Sequence, residues 1–182
     1  MSEVTADVDV RYPIGKFESQ PYSQELRTKW LSDIKFLPND LELAIQNLDE
    51  HQFDTPYREG GWTVKQLVHH VADSHMNAYI RFKLAITEEN PTIKTYEEKG
   101  WANLSDVYTV PVNVSVTLLH ALHLRWYAAI ENLTEEQFTN RTIYHPEQKK
   151  QISLWHLLGM YAWHGRHHVA HITKLKEQKD WH

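Results

Sequence analysis

Cysteine is absent from this 182-residue chain, so no disulfide braces the fold and no thiolate can act as nucleophile or metal ligand. Long apolar runs are missing as well: no stretch approaches the ~20 residues that cross a bilayer as a helix. The opening MSEVTADVDVRYPIG has neither a basic region nor an apolar segment, which argues against a secretory signal. Positive charge is not in excess. With a formal net charge of −5, nothing draws the chain generally to nucleic acid. Also absent are a phosphate-cradling glycine loop, a dinucleotide fingerprint and a recognisable Ser-His-Asp arrangement. We expect a cytoplasmic protein.

What remains is ordinary in bulk and unusual in detail. Hydrophobic residues make up 41% and charged residues 24%, the balance of a globular protein, and the length suits one domain over 1–182. The anomalies are 13 histidines, several of them clustered, and 7 tryptophans.

Pro13, Gly15 and Pro21 break any helix near the start, so residues 1–22 read as an extended arm. A first helical region spans Ser23 to Leu48, with Trp30, Leu31, Ile34 and Leu37 as one apolar stripe. Leu41, Leu43, Ile45 and Leu48 form the next, and Pro38 between them predicts a kink or a division. After the breakers Pro56 and Gly60–Gly61, Thr63-Val-Lys-Gln66 has the form of a capping box and opens a second helix to about Glu89. Asn90 to Pro111 reads as loop, and a third helix fits Asn113 to Asn132. A short turn follows at Thr134 to Phe138. Alternation on both sides of a Pro-containing turn predicts a β-hairpin within Arg141 to Ser153. Ser153 then caps a fourth helix reaching Glu177. The pattern is all-α, a four-helix bundle with a small hairpin before its last helix.

On the fourth helix, Leu157, Tyr161, His164, His168, Ile172 and Leu175 recur in steps of three and four, as one inward stripe does. Two histidines thus stand where the pattern calls for apolar side chains. Burying an unpartnered polar group costs roughly 1–3 kcal/mol, a large share of a typical net stability of roughly 5–15 kcal/mol. A lone histidine on such a stripe is ordinarily a hydrogen-bonded core residue. Two at i and i+4 can instead converge on one ion. On the second helix, Leu67, His70, Ser74, Asn77 and Arg81 share a largely polar face, and His70 is the inward member of the His69–His70 pair. Three imidazoles from two helices would leave a position for water, whose pKa a divalent ion lowers to about 7.

Other residues are weighed against plainer roles. His167 and His171 also stand four apart, but they lie about 60° off the stripe, at the edge of the buried face, and read as supporting or surface residues. His75, His120, His123, His145 and His156 lack comparable geometry, so a simple hydrogen-bonded role is expected for each. The spacing of His164 and His168 matches the zinc-protease helix, but Gly165 stands where that motif needs glutamate, which disfavours proteolysis. Asp73, one turn beyond His69 and His70, either orients a ligand ring or caps a solvated face. Asn77 and Arg81 fit an internal network better than a substrate anchor. Trp30, Trp62, Trp126, Trp155 and Trp163 are expected in the core, while Trp101 and Trp181 are free to line a pocket or interface.

The runs DTPYREGGWTVKQLVHHVADSHMNAYIRFKLA and YHPEQKKQISLWHLLGMYAWHGRHHVAHITKL closely resemble the YfiT-type proteins of the DinB-like superfamily, with further likeness from YPIGKF to the C-terminal KDW. The resemblance implies a DinB-like four-helix bundle that forms a homodimer in the cytoplasm. It implies one divalent metal per subunit, zinc first and nickel or another ion second, held by His70, His164 and His168. The activity implied is metal-dependent hydrolysis of a small-molecule substrate, with the catalytic groups unassigned. Relatives that transfer low-molecular-weight thiols such as bacillithiol to electrophiles supply an alternative reaction. A third alternative is a non-catalytic, metal-stabilised binding or stress-response module.

Overall fold

The structure, a computed structural model, describes residues 9–182; residues 1–8 of the expected arm lie outside the described residues. Four long helices carry the fold: α1 (Gln24–Ile45), α3 (Val64–Thr87), α6 (Val112–Ile130) and α8 (Leu154–Lys179). Shorter elements join them, namely α2 (Glu50–Phe53), α4 (Glu98–Trp101), α5 (Ser105–Thr109), α7 (Glu135–Asn140) and the strands β1 (Thr142–His145) and β2 (Lys150–Ser153). α1 packs chiefly on α8 and α6, and α3 on the same two, so α1 and α3 stand diagonally across the bundle. No single helix among the described residues is long and apolar enough to cross a membrane.

Local chemistry sets the helix starts. Ser23 Oγ accepts from Leu26 N, Thr63 and Gln66 form the expected reciprocal capping box, and Ser153 Oγ accepts from His156 N. The hairpin pairs β1 and β2 antiparallel, with Ile143 opposite Ile152 and both buried.

Two expectations are corrected. Residues 90–111 are not simply loop, for they contain α4 and α5. Gln66 ties that segment down, its Nε2 donating to the Ala102 carbonyl at 2.9 Å while its Oε1 completes the capping box. Pro38 does not divide the first helix, since α1 runs through it as one 22-residue element. A proline carries no N–H, however, so the Ile34 carbonyl one turn earlier lacks its i+4 partner. That carbonyl instead accepts from a ring nitrogen of His123 on α6.

The core is split into two apolar halves. One gathers Trp30, Ile34, Phe82, Trp126, Ile130, Phe138, Trp155 and Leu158; the other gathers Leu37, Leu41, Leu67, Val71, Leu119, Ile172 and Leu175. On every long helix, residues of one half lie toward one end and residues of the other half toward the other end. Histidines occupy the boundary on three of them: His75 on α3, with His70 about one turn before it among Leu67, Val71 and Ala72, His123 on α6, and His164 and His168 on α8. A layer of imidazoles therefore separates the two halves.

Helix α8 approaches α1 closely at two glycines. A Cβ on Gly159 would lie 2.7 Å from the Trp30 ring, and one on Gly165 would lie 2.7 Å from Leu37 Cδ1. The leucine can rotate away, whereas the tryptophan is packed against Trp155 with ring centroids 4.3 Å apart. We expect Gly159→Ala to lower stability by about 1–3 kcal/mol through overpacking, minus at most about 1 kcal/mol of regained helix propensity. A chemical-denaturation midpoint at or above that of the unmodified chain would contradict this packing.

Candidate metal centre

His70, His164 and His168 meet inside the bundle, each offering one ring nitrogen, and the three ligand atoms lie within 4.8 Å of one another. The Nε2 atoms of His164 and His168 are 3.1 Å apart. Two nitrogens at about 2.0–2.1 Å from one tetrahedral ion are separated by roughly 3.3 Å, so the spacing suits a shared divalent cation. The His70 ring faces both others, with centroids 5.4 Å from His164 and 5.1 Å from His168. Trp62 covers its outer side at 4.6 Å.

Burial keeps these rings uncharged. It lowers His70 to about 4 and holds His164 and His168 well below the ordinary histidine range, where neighbouring imidazoles add to the effect on the latter two. Neutral rings have lone pairs available at neutral pH, which is the state a cation requires. Among the described residues the cluster contains three donors and no carboxylate. His168 Nδ1 is buried and makes no hydrogen bond among the described residues.

The stripe on α8 lies as its periodicity implies, with Leu157, Tyr161, His168, Ile172 and Leu175 buried and His164 half-buried among them. His69 points away from the cluster. Its Nδ1 lies 2.7 Å from Ser115 Oγ and links α3 to α6. Asn77 donates to the Asp73 carbonyl, and Arg81 donates to Tyr161 Oη at 2.7 Å, so both belong to internal networks.

Of the two roles expected for His167 and His171, the surface one is excluded, because both are buried. Their Nε2 atoms are 3.2 Å apart, and they do not join the triad. The arm covers them: Trp163 Nε1 donates to the Gly15 carbonyl, Lys174 Nζ to the Pro13 carbonyl, and Tyr12 sits beside His167. Tyr57 packs on His171 with centroids 4.2 Å apart. Helical periodicity cannot register a cover supplied by distant chain. Among the tryptophans, Trp62 and Trp163 prove half-buried rather than core. Trp181 lines a groove of about 800 Å³ between α1 and α8, and Trp101 packs on Tyr96.

His75 and His123 are the residues that sequence reasoning undervalued. Both are buried and hydrogen-bonded, as the plain reading of a core histidine has it, but their partners connect them to the cluster. His123 Nδ1 lies against the Ile34 carbonyl, His123 Nε2 is 3.1 Å from His75 Nδ1, and His75 Nε2 is 3.2 Å from His164 Nδ1. The one available signal was Pro38, which announces a free carbonyl without saying which donor will find it.

Two further groups, one on α3 and one in the segment that follows it, have shifted proton affinities. The half-buried Asp73 carboxyl is raised to about 6, by burial first and then by the Asp106 charge. Among the described residues no ring nitrogen donates to it, so it does not orient a histidine. The buried Tyr96 hydroxyl lies toward Ser74 without reaching hydrogen-bond geometry, and burial raises its pKa.

Comparison with known proteins places this arrangement. The DinB superfamily model matches residues 34–172. A protein of Bacillus cereus (strain 03BB102) named "Putative metal-dependent hydrolase" is 52% identical over 174 residues, covering 95% of this chain and 99% of the relative. A protein of Bacillus thuringiensis subsp. konkukian (strain 97-27) with the same descriptive name matches with the same identity and coverage. Among solved structures, YfiT from Bacillus subtilis, described as "a probable metal-dependent hydrolase with an unusual four-helix bundle topology", superposes with a TM-score of 0.92. It is 47% identical, and the match covers 96% of this chain and 100% of that one. With its helical bundle, its hairpin before the last helix and its convergent histidines, this chain belongs to the DinB superfamily, among relatives named as metal-dependent hydrolases.

Proposed function

We propose that this protein is a hydrolase of small molecules that works through a divalent ion, zinc foremost, held by His70, His164 and His168. The observation that carries the reading is the buried trio of uncharged imidazoles whose donor atoms fall within 4.8 Å of one another. The names of the relatives point to the same class of reaction. A purely structural ion is closed by four protein donors, whereas three leave room for substrate or water. The ion's contribution would be to polarise the bond to be cleaved and to make water a better nucleophile near neutral pH.

The chain's own residues have distinct tasks in this account. The triad fixes the reacting centre in a layer from which bulk water is largely excluded. Arg81 and Tyr161, bonded to each other beside the triad, hold α3 and α8 in register where the ligands project. Asp73 stands one turn from His70 on the same helix, and a carboxyl raised to about 6 is suited to accept a proton from the nucleophile and return it to the leaving group.

Removing a ligand separates the metal from the fold. We expect purified protein loaded with zinc to hold one ion per chain and His168→Ala to lose it, as read by elemental analysis after dialysis. Hydrolysis of an activated ester or amide panel should follow metal content. Conjugation of an electrophile that depends on added bacillithiol, with no hydrolysis, would replace this reading by thiol transfer. Asp73→Asn should retain zinc while lowering kcat by about 10²-fold or more, the usual size of a general acid–base contribution. Unchanged kcat would remove Asp73 from the mechanism.

Acidification has a defined sign. His70 and His123 fall to about 4 in the folded chain from an ordinary value of 6.5, so the unfolded state binds more protons between those values. Their contribution to stability is complete above pH 6.5 and declines as pH falls toward 4. Asp73, raised to about 6, and the raised carboxyls of Asp40 and Glu98 act in the opposite direction but are outnumbered by the histidines that burial lowers. Metal-free protein should therefore lose thermal stability steadily from pH 7 to pH 5. A flat or rising Tm over that interval would contradict the burial of neutral imidazoles.

A further inference from the structure

Resting on the reading of His164 as a ligand, we propose that Pro38, His123 and His75 form a tautomer lock that directs the Nε2 lone pair of His164 at the metal. His75 and His123 are thus positioning residues for the centre, reached through hydrogen bonds alone.

The direction of the chain is set at one end. The Ile34 carbonyl can only accept, and it is available because Pro38 supplies no N–H to it. His123 Nδ1 faces that oxygen and must carry the proton. A neutral imidazole has a single N–H, so His123 Nε2 is bare and can only accept. His75 Nδ1, 3.1 Å away, must then donate, which leaves His75 Nε2 bare. His164 Nδ1, 3.2 Å from it, donates in turn. The remaining nitrogen of His164 is Nε2, unprotonated and 3.1 Å from Nε2 of His168. The reverse polarity would place a bare His123 nitrogen against the carbonyl oxygen, two acceptors in contact.

Successive rings are close, with centroids 5.0 Å apart for His75 and His123 and 5.3 Å for His75 and His164. His75 and His123 are inclined by 20°, and His75 and His164 by 34°. All three rings lie inside the bundle, His75 and His123 essentially without exposure, so water does not offer a competing partner. Ligand histidines usually gain orientation from a single carboxylate, carbonyl or water on the second nitrogen. Here the carbonyl is reached through two intervening rings, from α1 across α6 and α3 to α8. An unlocked His164 would spend part of its time protonated on Nε2, with nothing to offer a cation.

The test uses full-length protein labelled with ¹⁵N-histidine, with and without zinc, and long-range ¹H–¹⁵N correlations that separate Nδ1–H from Nε2–H rings. All three of His75, His123 and His164 should be Nδ1–H in both states. His75→Phe removes donor and acceptor together and should weaken zinc binding about 10–100-fold in chelator competition. His75→Gln keeps a donor and an acceptor at similar separation and should bind zinc nearly as the unmodified chain does. His123→Phe should leave His164 as a mixture of tautomers. An Nε2–H signal from His164 in the unmodified protein, or equal zinc affinity in the Phe and Gln variants, would overturn the lock. Should His75→Phe not fold, the spectrum of the unmodified protein decides. Failure of that protein to bind zinc would instead sink the ligand reading, and the metal-free spectrum would still judge the lock.

Discussion

The structure depends on keeping a layer of uncharged imidazoles between two apolar halves of one bundle. Each ring brings two nitrogens into a region where an unpartnered polar atom costs roughly 1–3 kcal/mol. The layer is tolerable because most of its nitrogens satisfy one another or converge on a common point, although His168 Nδ1 stays buried without a partner among the described residues. His123 and His75 are spent on hydrogen bonds, while His70, His164 and His168 direct donor atoms toward one small volume. Hydrophobic burial above and below supplies the free energy that lets such a layer persist.

That division assigns stability and chemistry to different parts of the same helices. On α8, Leu157 and Leu158 belong to one apolar half and Ile172 and Leu175 to the other, with the ligand candidates between. On α3 the order is reversed along the chain, Leu67 and Val71 preceding His75 and Phe82 following it. The candidate metal centre is thus built on long helices and held from both sides.

Much of this was legible in the residues. Caps at Ser23, Thr63 and Ser153, the periodic stripe of α8 and the hairpin signal placed the main elements, and the same stripe isolated His164 and His168 as polar intruders. The convergence of His70 required only that α3 and α8 be neighbours. What stayed hidden depended on tertiary register. His75 and His123 look like ordinary core histidines until three helices are stacked at the right height, and no spacing rule connects residues 48 positions apart. Pro38 predicts a kink or division of the first helix, whereas its consequence here is a carbonyl left for His123. The burial of His167 and His171 escaped for a different reason, because the covering arm has no periodicity to betray where it lies.

The central claim is that three imidazole nitrogens share one cation and leave a position open. The most direct measurement is zinc K-edge X-ray absorption on the loaded protein, repeated on the His70→Ala variant. The account predicts three imidazoles at about 2.0–2.1 Å plus one light, non-imidazole scatterer, and two imidazoles at most once His70 is removed. Four protein donors around the ion, or a spectrum unaltered by the loss of His70, would contradict it.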